Sequence, residues 1–261
     1  MGGILRLCVG QSPVELSTTT ARLEWLKSVL SEAAFKQTDL LLLPELFATG
    51  YNIGDRIAAR AELADGPTAL TIATLAKAHN IAIHYGFAET DGNNTFNAAQ
   101  CFGPNGMRLG GHRKLAIPPG FEADHFKHGE GCSLFIYKGL QIATLICYDA
   151  EFPETARHVA SMGAELILVP TALGAQWDWV SKTMVPTRAY ENGVFLAYAN
   201  SAGTENGMGF LGQSFIAAPN GKELARAGAS PELIYAELKR GQVTKAQSRL
   251  PYLNDLKMLK T

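Results

Sequence analysis

Apolar residues occur along this chain in two rhythms, short continuous runs and helical stripes, and the two alternate. Ile4–Gly10 is a first run and predicts a strand. Ser17-Thr18-Thr19-Thr20 supplies hydroxyl caps for a helix carrying Leu23, Leu26, Val29 and Leu30 at helical spacing. Asp39–Pro44 is a second run, continuous as in a strand covered on both faces. Gly66-Pro67 opens a helix over 68–79 with Leu70, Ile72, Leu75 and Ala76 on its apolar side, and Ile81–Tyr85 returns to strand.

The middle of the chain changes rhythm. Phe96–Phe102 and Met107–Leu109 flank Gly103-Pro104-Asn105-Gly106, a hairpin signal. From Lys114 to Leu134 runs a long connection of proline, glycine, histidine and charge, in which Phe121 and Phe126 predict an ordered wall. The later segments repeat the opening order. A helix from Pro153 to Met162 stops at Gly163, Glu165–Pro170 is a strand, 177–192 is helical despite Pro186, and Val194–Asn200 is a strand. Phe210–Ala218 and Glu223–Ala225 flank Pro219-Asn220-Gly221 as a second hairpin, and Leu233–Leu238 closes the pattern. Two similar halves in one α/β domain over 1–261 follow, with two sheets inside and helices outside. Residues 246–261, with Pro251–Leu256 among them, read as a C-terminal arm that packs elsewhere, on a partner subunit for example.

Composition supports a large core and narrows the partners. The chain has 261 residues, 47% hydrophobic and 18% charged, so long disordered segments are not expected. Its 23 basic and 24 acidic residues nearly cancel, and no basic block exceeds Arg113-Lys114, which argues against a nucleic-acid partner. No run approaches the roughly 20 apolar residues of a membrane span, and the amino terminus lacks the pattern of a secretion leader. Cys8, Cys101, Cys132 and Cys147 occur singly, as free thiols of a reducing cytoplasm do.

Three polar groups leave apolar runs in a way that points to chemistry. Cys147 ends the run Ile142–Ile146 and is followed by a helix start at Pro153. It is either a small buried hydrophobe or a nucleophile delivered to a sheet edge, with neighbouring backbone N–H groups available to an oxyanion. Glu45 closes Leu40–Pro44, as a loop cap, an arginine partner, or a general base whose pKa an apolar setting would raise. Lys114 is either solvated or a cation that lowers a thiol pKa and holds an oxyanion. Glu122, eight residues on, is a loop carboxylate or a group that orients Lys114 or water. Tyr51, Tyr148, Trp177 and Trp179 are candidate pocket walls, and Glu122, Asp178 and Glu205 are candidate acceptors for a substrate ammonium. His125 and His128 lack a matching ligand set, so no metal is expected, and no glycine-rich phosphate cradle is present.

Leu43-Pro44-Glu45 with Thr49-Gly50-Tyr51, Arg113-Lys114, and Ile146 to Glu154 resemble the carbon-nitrogen hydrolase family, or nitrilase superfamily. Gly163-Ala164-Glu165, Pro170-Thr171-Ala172 and Arg188 to Asn192 extend the likeness over essentially the whole chain. The resemblance implies a four-layer αββα sandwich, a Glu45–Lys114–Cys147 centre with Glu122 as second glutamate, and a Tyr148 N–H beside the oxyanion. It implies a cofactor-independent cytoplasmic amidase that acts on a small amide through a cysteine thioester and forms homodimers or larger homo-oligomers. Within the family, Thr49 to Gly54, Ala64 to Pro67 and Pro251 to Leu253 are most similar to short aliphatic amidases such as the 5-aminopentanamidase group. Ala116, where that group often carries histidine, and the stretch Pro118–Phe121 depart from it beside the presumed pocket. A nitrilase or an N-carbamoyl amine hydrolase could use the same centre, and a non-catalytic binding protein could keep the same sandwich.

Overall fold

The computed structural model describes residues 3–259, and its strands follow the apolar runs. Met1, Gly2, Lys260 and Thr261 lie outside the described residues, and with them the ends of the N-terminal stretch and of the C-terminal arm. The strands are β1 (Ile4–Gln11), β2 (Leu40–Leu42), β3 (Ala82–Thr90), β4 (Thr95–Phe102), β5 (Arg108–Arg113), β6 (Leu134–Tyr137) and β7 (Leu140–Thr144). They continue as β8 (Leu166–Pro170), β9 (Phe195–Ala199), β10 (Ala202–Glu205), β11 (Met208–Leu211), β12 (Phe215–Ala217), β13 (Glu223–Arg226) and β14 (Glu232–Lys239). One six-stranded sheet runs β14-β1-β2-β3-β4-β5 and the other β13-β12-β9-β8-β7-β6, with β10 and β11 a separate pair. Starting from β14 or from β6, each sheet shows the same pairings in order: antiparallel, parallel, parallel, antiparallel, antiparallel. The two predicted halves are therefore two copies of one topology.

Continuous apolar strands serve two cores at once, because successive side chains point to opposite faces. Leu40 and Leu42 enter the core between the sheets, together with Leu166, Leu168, Phe195 and Ala197. Leu41 and Leu43 enter the core beneath the helices of the first half, and Ile167, Val169 and Leu196 that of the second. Helix α1 (Thr19–Phe35) is capped by Thr18, whose hydroxyl accepts from the Ala21 N–H at 3.1 Å, and it buries Leu26, Leu30 and Ala33. The four-layer αββα sandwich follows from these faces.

Several boundaries differ from the sequence pattern. Leu70 lies off the buried stripe Ala69, Ile72 and Ala76 of its helix (Pro67–His79) and is 65% exposed, not part of the apolar side. The expected strand 210–218 is two strands, β11 and β12, broken where Gly212 and Gln213 take positive φ values of 65° and 52°. β10 and β11 form a hairpin through Asn206 and Gly207 (φ 48° and 84°), an Asn-Gly turn signal the apolar pattern did not use. The helical stretch before Asn192 starts at 178–179, passes through a π turn, Val180–Met184, and continues as an α-helix, Val185–Asn192. The arm forms helices Gly241–Arg249 and Tyr252–Asp255, and Leu253 packs on this chain's own outer core. Among the described residues no helix is long and apolar enough to cross a membrane.

Candidate active site

Glu45 is placed by the end of β2 and by a close approach from β3. Past Leu42 the chain still follows its neighbour, with Leu43 N–H donating to His84 O (2.9 Å), and then turns. Gly86 faces that turn so closely that a Cβ would lie 2.5 Å from Leu46 N and 2.7 Å from Pro44 O. The turn is anchored across the two halves as well, where Glu45 N–H donates to Thr171 O at 3.4 Å. The carboxylate is buried. Its Oε1 accepts from Asn97 Nδ2 (2.6 Å) and Lys114 Nζ (2.8 Å), while Oε2 has no hydrogen-bond partner among the described residues. An unsatisfied buried carboxylate oxygen is costly, so Oε2 is a ready acceptor for a proton or a substrate N–H.

Lys114 directly follows β5, and its backbone N–H donates to Asn97 O on β4 (2.8 Å). Its ammonium is fully buried and donates to both oxygens of Glu122 at 2.7 Å as well as to Glu45. Glu122 sits on the short helix Phe121–His125 inside the long connection, which is the ordered wall the sequence implied. Tyr51 donates its hydroxyl to Glu122 Oε1 (2.7 Å), and Asn97 Nδ2 reaches Glu122 Oε2 (3.1 Å). One ammonium thus bridges two buried carboxylates, and one amide bridges the same two.

Cys147 lies three residues past β7, at the start of a 3₁₀ turn, Cys147–Glu151, with a left-handed φ of 46°. Such a conformation in a non-glycine residue is uncommon and clusters at functional sites. Tyr148 follows in the first turn, where helical N–H groups have no acceptor within the helix. Asp149 ties this turn to the Lys114 loop. Its Oδ2 accepts from Ile146 N–H (3.0 Å) and pairs with His112 Nε2 (2.9 Å), while Oδ1 accepts from Leu115 and Ala116 N–H (3.0 and 2.7 Å).

The charges set the resting protonation. Burial pushes the Glu45 carboxyl up, Lys114 opposes this and Glu122 reinforces it, leaving it at about 7. Burial works against the Lys114 cation, but the two carboxylates outweigh it and hold the ammonium firmly charged. The Cys147 thiol is raised by burial and then by the Glu45 charge, with Lys114 and a Thr171 hydrogen bond acting the other way. Lys114 does pull the thiol pKa down, as expected, but desolvation and the Glu45 carboxylate outweigh that attraction. The resting group is a thiol, and attack requires a base at the moment of bond formation.

Glu45, Lys114, Glu122 and Cys147 fall in one electrostatic cluster. Tyr51 joins it through Glu122, and Tyr148 lies half-buried with its ring edge-on to Phe152. Trp177 does not join. It stands 58% exposed, and Trp179 is 66% exposed. The carboxylates considered for a substrate ammonium are all engaged, Glu205 by Arg22 (2.7 Å), Asp178 by Lys182 (2.7 Å), and Glu122 by Lys114. Asn97, Asp149 and Thr171 have no assigned role in the sequence reading, and His112, one of four histidines that could pair with the cysteine, pairs with Asp149 instead. Asn97 and His112 sit in strands like any other polar residue, although the Cys-Tyr-Asp order could have drawn attention to Asp149. Among the described residues, no group of three or more His, Cys, Asp or Glu is arranged to hold a metal ion.

A model of the carbon-nitrogen hydrolase family matches residues 6–248. The chain belongs to the carbon-nitrogen hydrolase family. It is 40% identical over 255 residues to a hydrolase in the pqqF 5′ region of Pseudomonas protegens, covering 96% of this chain and 88% of that protein. It is 31% identical to an (R)-stereoselective amidase of a Pseudomonas species, covering 85% of this chain and 81% of the other. An amidase from a Nesterenkonia species superposes with a TM-score of 0.86 at 30% identity over 96% of each chain. A double mutant of that amidase has been solved in complex with acrylamide, and another mutant in complex with butyramide. This carbon-nitrogen hydrolase is thus an amide-hydrolysing enzyme of the nitrilase superfamily.

Proposed function

We propose that the protein hydrolyses a short, uncharged aliphatic primary carboxamide to the carboxylate and ammonia, through a thioester on Cys147. The observation that carries this reading is the buried Lys114 ammonium between Glu45 and Glu122, beside a cysteine held at positive φ. Glu45 takes the thiol proton as the sulfur attacks the amide carbon, and the carbonyl π electrons move to oxygen. Lys114 and the Tyr148 N–H stabilise that oxyanion. As the carbonyl re-forms, the C–N bond breaks and Glu45 delivers the proton to the departing nitrogen, releasing ammonia. Water then donates a proton to Glu45 while its oxygen attacks the thioester, and the C–S bond breaks to give the acid. The proton returns to sulfur. A carboxyl near 7 suits both directions of this transfer.

An uncharged substrate is favoured over an ω-amino amide such as 5-aminopentanamide, because the acidic groups considered for an ammonium already have cationic partners. The wall near Glu122 is also aromatic: Tyr51 lies 5.4 Å from Phe121 and 6.0 Å from Phe210, centroid to centroid. The small amides held by the Nesterenkonia amidase agree with this choice. Self-association belongs to the same proposal, since Phe152, Met162, Tyr190 and Tyr252 remain exposed on and around the helices that follow Cys147. A reducing cytoplasm accords with the four free cysteines.

The test is ammonia release from propionamide, butyramide, 5-aminopentanamide, propionitrile and an N-carbamoyl amine. The neutral amides should react fastest and yield an acyl adduct on Cys147 by intact mass, with Cys147→Ala inactive yet folded. Normal turnover by Cys147→Ala would overturn the mechanism. A preference for nitrile, carbamoyl or cationic substrate would overturn the substrate class.

A further inference from the structure

We propose that the buried Arg22–Glu205 pair is a positioning device for this reaction, in which Glu205 of the second half holds Tyr51 of the first half on Glu122. The inference rests on the amidase reading above. Glu205 ends β10, in the second half, and divides its carboxylate between two tasks. Oε1 accepts from Arg22 Nη2 (2.7 Å), while Oε2 accepts from two consecutive backbone amides, Tyr51 N–H (3.0 Å) and Asn52 N–H (2.6 Å). Asn52 and Asn206 lock the same loop to the same turn, with Asn52 Nδ2 donating to Glu205 O (3.0 Å) and Asn206 Nδ2 to Asn52 O (2.7 Å). Gly50 makes the approach feasible. Its φ is +94°, and a Cβ there would lie 3.0 Å from Glu205 Oε1 and 3.2 Å from Arg22 Nη2.

Fixing two successive amides orients the Tyr51 backbone, and the ring is then held by Phe121 and, edge-on, by Phe210 on β11. From there the hydroxyl reaches Glu122 Oε1, the oxygen that also accepts from Lys114. The sequence of contacts is Arg22, Glu205, Tyr51, Glu122, Lys114, Glu45.

Stability alone is a poor reason for such a pair. A buried ion pair is often no better than apolar packing of similar volume, and this one leaves Arg22 Nε buried without an acceptor among the described residues. Position is what the pair supplies. Displacing a reacting group by about 1 Å costs as much as 100-fold in rate, so a loosened Tyr51 should register in turnover.

The experiment measures kcat and KM on the best neutral amide for Tyr51→Phe, Glu205→Gln and the two combined, with thermal melts as the folding control. Tyr51→Phe and Glu205→Gln should each lower kcat about 10-fold with KM changed less than about twofold. In the Tyr51→Phe background, Glu205→Gln should lower kcat by less than about twofold, because the group through which it acts is gone. Should Glu205→Gln not fold, the Arg22→Met/Glu205→Gln protein, which leaves no unpaired buried charge, takes its place in the cycle. Undiminished kcat in Tyr51→Phe, or equal losses in both backgrounds, would overturn the proposal. Failure of both Glu205 variants to fold would assign the pair to folding and overturn it too. Inactivity of the unaltered protein on every amide would instead remove the reading beneath it.

Discussion

Replacing Glu45 with glutamine should abolish turnover and, separately, make stability less sensitive to rising pH. The carboxyl is buried, with a folded pKa of about 7 against an ordinary value of 4.5. Between these two values the native state keeps a proton that the unfolded chain has released, so stability declines as pH rises through that window. The contribution of this carboxyl is fully present below 4.5 and lost once pH has passed the folded value near 7. Integrated from pH 5 to pH 8, the loss is about 2–3 kcal/mol. Glutamine does not titrate, while Lys114 keeps its proton in both states throughout this range and retains Glu122 as a partner. Urea unfolding of both proteins at pH 5 and pH 8 isolates the effect. The stability of Glu45→Gln relative to the unaltered protein should be about 2–3 kcal/mol more favourable at pH 8 than at pH 5, with unchanged m-values. An identical difference at the two pH values would refute the assignment of a raised, buried carboxyl to Glu45.

Further expectations follow from the same contacts. Lys114→Met strips the cation from two buried carboxylates and should cost about 3–5 kcal/mol at pH 8, as read by chemical denaturation. Gly86→Ala drives a Cβ into the Glu45 turn, and should cost about 1–3 kcal/mol and most of kcat, while a normal kcat would show that the turn can yield. Asp149→Ala removes the acceptor for three backbone N–H groups and His112, and should lower the denaturation midpoint by about 2–4 kcal/mol of stability together with kcat. The kcat/KM–pH profile should rise through about 7 as Glu45 ionises, and a rise centred near 4 would deny it the role of base.

Local rhythm carried much of the architecture. The runs at Leu40–Leu43 and Leu166–Val169 feed two cores from alternate residues, which is why they lack polar alternation and were recognisable as strands between layers. Glu45, Lys114 and Cys147 stand out because an ionisable group or thiol leaving an apolar run departs from its surroundings, whereas Glu122, a loop carboxylate, stands out only through the family resemblance. Where local signals competed, the pattern misled: Leu70 looked apolar-facing yet lies about 100° around the helix from Ala69, and Gly212 breaks what seemed one strand. What only the tertiary structure decided was partnership. Asn97 meets Glu45 from 52 residues away, Glu205 meets Tyr51 from 154, and Trp177 is left 58% exposed. Hydrogen bonds at such separations leave no period in the chain, since each partner need only suit its own strand or turn. The balance that keeps Cys147 a thiol was equally out of reach, because desolvation and nearby charge exist only once the layers have closed around it.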